Sequence, residues 1–227
     1  MTEPADAPPE DLDALVARVD PDRWLSGRLI ADRAVREEVM ALYAFDHELG
    51  RAPKVASNPL LAEIRLTWWR EVLDEVFEGR PVRHHPTAQA LARLIARHGL
   101  NRDPFERMID GRYRELEAEP MTAEEAEAWA RATAGAAAQI AAKMLGGAQA
   151  DGVRAEAAAA LWALSRRPEG LAPESQARLR REARGLGVEA FPAAAHGALA
   201  RLYGRPKAPG ALARRLAVTL AALTGRV

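Results

Sequence analysis

Cysteine is absent from the 227 residues, which excludes disulfides, thiolate metal sites, iron–sulfur clusters and cysteine nucleophiles together. Aromatic residues are scarce, at 5%, and β-branched or aromatic side chains never alternate with polar ones over a strand's length, so a sheet has little support. Long apolar runs are missing too: the richest stretch, Ala132 to Gly147, is interrupted by Gln139 and Lys143 and is too short for a membrane span. The first ten residues carry acids and prolines where a secretory signal needs a positive end and an apolar run, and they are too acidic for a transit peptide. The expectation is a disordered tail over 1–10, one helical domain over 11–227, and a cytoplasmic or membrane-peripheral location.

Net charge is absent overall, with 32 basic and 32 acidic side chains, but it is unevenly spread. Residues 1–150 hold 19 basic and 26 acidic side chains, and residues 151–227 hold 13 and 6. The basic C-terminal part, with Arg166, Arg167, Arg178, Arg180, Arg181 and Arg184, could meet an anionic membrane surface or an acidic partner; a solvated arginine-rich face is the plainer reading. Nucleic acid is not an expected partner. The lone Gly185-Leu186-Gly187 follows a helix without any strand–turn–helix unit, so it makes a poor nucleotide loop.

What the chain does have is helix-forming sequence throughout. Alanine, leucine, arginine and glutamate dominate, and apolar residues recur every three or four positions. Asp32 is a candidate cap for a helix burying Val35, Val39, Leu42 and Leu49, which Gly50 and Pro53 are expected to end. A second helix is predicted from Asn58 to Phe77, its wide apolar side including Leu60, Leu61 and Ile64. Thr122 with Glu125 is a capping-box signature for a long helix through the alanine-rich stretch. Weaker helices are predicted near 153–165, 173–184, 191–203 and 210–223.

Local chemistry is thin. His84, His85 and His98 lack a partner at metal-ligand spacing. Glu71 with Glu75, Asp74 with Glu78, and Glu115 with Glu119 are helical carboxylate pairs four apart. They could chelate Mg²⁺, although arginines nearby favour solvated ion pairs.

Several ordered segments resemble squalene/phytoene synthases. They are Asp20-Pro21-Asp22-Arg23-Trp24, Tyr43-Ala44-Phe45, Ile64-Arg65-Leu66-Thr67-Trp68-Trp69-Arg70, Ile109-Asp110-Gly111-Arg112-Tyr113, and Ala134-Gly135-Ala136 to Leu145-Gly146. The resemblance implies an all-α, prenyltransferase-like (isoprenoid synthase) helical bundle around a central cavity, shortened at its C-terminal side. In active members two Asp-x-x-x-Asp motifs hold Mg²⁺ against prenyl diphosphates. Here Gly50 and Lys54 stand at the aspartate positions of the first motif, and the Ala157–Arg167 region, where the second belongs, has no aspartate.

This pattern is more similar to the non-synthase branch, which includes a mitochondrial complex I assembly factor. It implies a non-catalytic assembly or scaffold protein with no metal or cofactor, and with respiratory-complex subunits, assembly factors or a prenyl lipid as candidate partners. The alternatives are a prenyl diphosphate condensing enzyme using Mg²⁺ on other acids, and a peripheral lipid-binding protein. Arg23, Tyr43, His47, Arg112 and Gln139 lie in the matched segments and are the candidate walls of a surviving pocket.

Overall fold

The computed structural model describes residues 11–55, 58–203 and 208–227; the tail expected over 1–10 lies outside them. Among the described residues there are helices and turns and no strands. Helix α1 (Leu12–Val19) is capped by Asp11, and α2 (Pro21–Gly27) by Asp20, each through a carboxylate accepting backbone N–H groups. These two helices lie against α3 (Arg33–Val55).

The Asp32 carboxylate accepts the Ala34 and Val35 N–H groups at 2.8 and 3.1 Å, setting the start of α3. Its far end departs from expectation. The helix runs through Gly50 and Pro53 to Val55: a glycine does not by itself stop a helix, and Pro53 lies two residues before the end, so its missing N–H and ring clash disturb only the final turn. Helix α4 (Pro59–Phe77) matches the predicted span, and Asn58 caps it. Leu60, Leu61 and Ile64, however, face solvent instead of widening the buried stripe.

Helices α5 (Pro86–His98) and α6 (Asp103–Tyr113) follow; Gly99 ends α5 in the left-handed conformation, at φ 54°. The core forms where α3 passes α4, α6 and the alanine-rich helices. Val39, Leu42, Phe45 and Leu49 are fully buried. Phe45 packs edge-on against Trp69 at 5.2 Å and near Phe105 at 6.1 Å.

The Thr122–Glu125 capping box is present. It opens a run of α7 (Ala123–Ala130), a π-helical turn (Arg131–Gly135) and α8 (Ala136–Met144). Helix α9 (Gln149–Ser165) lies against α8. Buried alanines on both, including Ala137, Ala141, Ala155 and Ala159, keep the side-chain layer thin enough for close packing. At Gly135 an added Cβ would lie 2.8 Å from Glu156 Cγ, so glycine there permits the approach of α9.

Helix α10 (Pro173–Glu182) packs on α9. The Gly185–Gly187 turn that follows is a docking point: Asp151 of α9 accepts the Gly187 N–H at 2.9 Å. Two 3₁₀ turns (Phe191–Ala193 and Ala195–Leu199), α11 (Ala200–Tyr203) and α12 (Ala211–Thr224) complete the described chain.

His196 sits in the second 3₁₀ turn, fully buried, edge-on to Trp162 at 4.9 Å and 3.3 Å from the Ser26 hydroxyl. Burial, aided by the Arg23 charge, holds its pKa down to about 3. The unfolded chain binds this proton near pH 6.5. The stability it contributes is therefore complete above about pH 6.5 and is lost as the pH falls toward about 3. Urea titrations in that window should show stability falling by up to about 1.4 kcal/mol per pH unit from this one group, and a His196→Asn variant should show a shallower slope.

Candidate functional site

A concavity rich in charged and aromatic side chains lies between α3, the end of α6, the π-helical turn and the C-terminal end of α9. It is a cleft of about 460 Å³, lined among others by Arg23, Asp46, Gly50, Lys54, Arg112 and Arg166. Its foundation is a buried chain of charges. Arg23 donates from Nε to Asp20 Oδ2 at 2.5 Å and from Nη2 to Asp46 Oδ2 at 2.6 Å. Arg112 donates from Nη2 to Asp46 Oδ1 at 2.7 Å and from Nη1 to Glu115 Oε1 at 2.6 Å. Trp129 Nε1 donates to the same Glu115 oxygen at 2.8 Å.

Asp46 is 2% exposed and bridges the two guanidiniums. Burial by itself would raise its pKa, but Arg112 and Arg23 outweigh that and hold it well below the usual carboxylate range. Among the described residues, Arg23 Nη1 and Arg112 Nε find no acceptor, which leaves two donors of this layer unsatisfied.

The rim carries further cations: Arg51, Lys54, Arg166 and Arg167. With Arg23 and Arg112 this makes six basic side chains against the carboxylates of Asp20, Asp46 and Glu115. Arg166 stacks over Trp162 at 4.4 Å. His47, half-buried on the same wall, has its pKa lowered by burial.

Gly50 explains how Arg112 reaches the centre. A Cβ at position 50 would lie 3.3 Å from the Arg112 Cζ, so the guanidinium lies directly beside the vacant side-chain position.

A second buried carboxylate ties the cleft floor to the last helices. Asp22, 1% exposed, accepts from Trp162 Nε1 at 2.9 Å, from the Tyr203 hydroxyl at 2.5 Å and from Arg214 Nη1 at 3.3 Å. Burial and this carboxylate push the Tyr203 pKa up to about 12.

Of the residues singled out in the sequence, Arg23, His47, Gly50, Lys54 and Arg112 meet in this cleft. Tyr43 lies beneath it, buried, with the Arg23 guanidinium 4.9 Å over its ring and its hydroxyl 3.4 Å from the Ala193 carbonyl. Gln139 does not belong to the lining. It accepts from Arg107 Nη2 at 2.5 Å and borders a different hollow beside Lys143 and Gly152, because α8 turns that face toward α6 and the start of α9.

Asp46, Trp129 and Trp162 were not singled out as site residues; Asp20 and Asp22 were read only as part of a matched segment, and Glu115 only as half of a helical carboxylate pair. Asp46 had a signal: it falls at the spacing of Val39, Leu42 and Leu49, an acid on an apolar stripe.

A magnesium cluster fits this donor set poorly. Asp46 and Glu115 are held by guanidiniums, Asp20 by Arg23, and the remaining rim is cationic. Among the described residues no group of three or more His, Asp or Glu side chains is placed to hold a metal ion. The outer carboxylate pairs are engaged as well. Glu71 and Glu75 both bind Arg83, Asp74 binds Arg102, and Glu78 binds Arg80. The histidines are dispersed: His98 pairs with Glu38, while His85 packs against Trp68 and Trp69.

Comparison with known proteins agrees with this architecture. A dehydrosqualene synthase crystal structure superposes with a TM-score of 0.69 at 14% identity, covering 94% of both chains. The squalene synthase HpnC from Alicyclobacillus acidocaldarius superposes at 0.58 and 17% identity, covering 94% of this chain and 92% of its own. Both likenesses establish the all-α isoprenoid synthase fold. Among curated sequences, NADH dehydrogenase (ubiquinone) complex I, assembly factor 6 is similar over 103 residues, 26% identical in Bos taurus and 28% in Rattus norvegicus. That stretch covers 45% of this chain and 30% of each relative, so the chain matches less than a third of their length. The squalene/phytoene synthase model matches residues 16–165, about two-thirds of the sequence and every wall of the cleft up to Ser165, and the chain belongs to the squalene/phytoene synthase family.

Proposed function

We propose that this chain is a non-catalytic member of its family that acts as an assembly or scaffold factor, in the manner that the name of its curated relatives describes. The observation that carries the reading is the charge of the cleft. Ionising an allylic diphosphate creates a carbocation and a highly charged leaving group, and bound metal ions normally supply the compensating charge. Here Gly50 and Lys54 stand at the positions of one metal motif, and Arg166 and Arg167 lie on the opposite rim. Each interior carboxylate is already paired with a guanidinium. A divalent cation would have to displace arginines from a buried network, which is unfavourable because it leaves those charges uncompensated.

The cleft retains an apolar and aromatic floor of Trp129, Ala134, Trp162 and Ala163 beneath its cationic rim. Such a surface suits the anionic head of a prenyl lipid held without being ionised. The assembly role then rests on the surfaces of the bundle, with respiratory-complex subunits as the partners that the curated relatives suggest.

Two measurements test this. Incubation with farnesyl or geranylgeranyl diphosphate and Mg²⁺ should release no diphosphate beyond a heat-denatured control; release above it overturns the non-catalytic reading. Affinity capture from the native host should enrich respiratory-complex subunits or their assembly factors. Enrichment of isoprenoid-pathway enzymes in their place would redirect the assignment.

A further inference from the structure

The face of α12 that looks away from the bundle carries four of the most exposed large apolar side chains: Leu212 at 71%, Leu216 at 62%, Leu220 at 61% and Leu223 at 80%. At helical periodicity these four fall within about 80° of one another. Val218 and Ala221, on the opposite side, are buried against α2 and the Ala195–Leu199 turn. Arg214 anchors that inner side through Asp22. The helix is therefore fixed to the bundle by one face and presents a leucine stripe on the other.

The charge of the segment that carries the stripe is of one sign. Residues 190–227 contain six Lys or Arg and no Asp or Glu. Arg215, beside Leu216, is exposed, as are Arg201 and Arg226. An exposed apolar stripe on a segment whose only charges are cations matches a surface that is apolar beneath and anionic above. No helix among the described residues is long and apolar enough to cross a membrane, so contact would be with the bilayer surface.

We infer that α12 is a docking element for an anionic lipid bilayer, lying in the headgroup region with Leu212, Leu216, Leu220 and Leu223 inserted and the flanking arginines on lipid phosphates. This assignment is independent of whether the cleft is catalytic. It also places the lipid contact on a different helix from the arginines of α10. There Arg178 is paired with Glu127 and no comparable leucine stripe accompanies the cations.

The test is flotation of the full chain with phosphatidylcholine vesicles, with and without phosphatidylglycerol. Binding should require the anionic lipid and weaken as salt is raised. A Leu216→Asp/Leu220→Asp variant changes only exposed positions. It should keep the wild-type circular dichroism and melting curve while losing vesicle affinity by at least about tenfold. Arg215→Glu should lower affinity for the anionic vesicles only. Absence of binding, or binding unchanged in the double variant, overturns the inference. So does a dimer in sedimentation that the double variant dissociates while no vesicle binding is seen, which assigns the leucine face to a second copy of the chain. Loss of a soluble protein partner with no lipid binding likewise overturns it.

Discussion

Replacing Asp46 by alanine is expected to lower the unfolding free energy by about 3–5 kcal/mol, equivalent to a drop in Tm of roughly 10 °C for a domain of this size. The reason lies in what is left behind. Arg23 and Arg112 are each less than a tenth exposed, and both direct a guanidinium nitrogen to this carboxylate. Without it Arg23 keeps Asp20 and Arg112 keeps Glu115, but each guanidinium loses a buried hydrogen bond and the two like charges face each other in a desolvated layer. Adding Arg112→Met to the alanine variant should recover about 1 kcal/mol, because it removes the repulsion between the two guanidiniums while Trp129 still donates to Glu115. If the single variant melts like the wild type, the charge chain does not stabilise the fold.

The same network predicts an acid response. The Asp46 pKa lies below its unfolded value, so its stabilising contribution is complete above about pH 4 and diminishes as the pH falls further. It thus reinforces the loss from His196, which begins at higher pH.

The second large effect is expected at Asp22. Alanine there removes the acceptor for Trp162, Tyr203 and Arg214 together. An unsatisfied buried donor costs about 1–3 kcal/mol; the total should be roughly 3 kcal/mol, since Arg214 can turn toward water. The loss should be local in character. Tyr203 and Arg214 belong to the last described helices, whereas Trp162 lies in the core of α9. Hydrogen exchange should therefore accelerate mainly in 211–224, with α3 and α8 little changed. Uniform acceleration across the chain would show that Asp22 supports the whole bundle. Tyr203→Phe should produce a smaller loss, about 1 kcal/mol.

Local signals were legible wherever the chain writes them in adjacent residues. Asp32 and Thr122 mark helix starts because a capping side chain acts on N–H groups two or three positions away. The ordered segments from Asp20 to Gly146 led to the family, since they preserve both residue type and sequence order. The charge chain was not legible. Asp46 meets Arg23 and Arg112, which are 23 and 66 positions away, and nothing local states that pairing.

Gly50 was over-read as a stop, because a glycine inside a helix costs about 1 kcal/mol without ending it, whereas Pro53 does lie in the last turn. Leu60 and Ile64 were over-read for a different reason. Apolar character alone does not reveal which neighbours arrive to cover it, and the same holds for the leucines of α12.

Gly50 carries a consequence for any attempt to rebuild a metal site. A carboxylate introduced there would meet the Arg112 guanidinium at once and form an ion pair before any dissolved cation could compete. A single reversion would deepen the positive-to-negative zipper across the cleft instead of creating a ligand. Recovering a chelating position would require rehousing Arg112 in the same step, and with it the Asp46 charge that Arg112 neutralises. The absence of one side chain thus couples three positions into a unit that one substitution at a time cannot take apart.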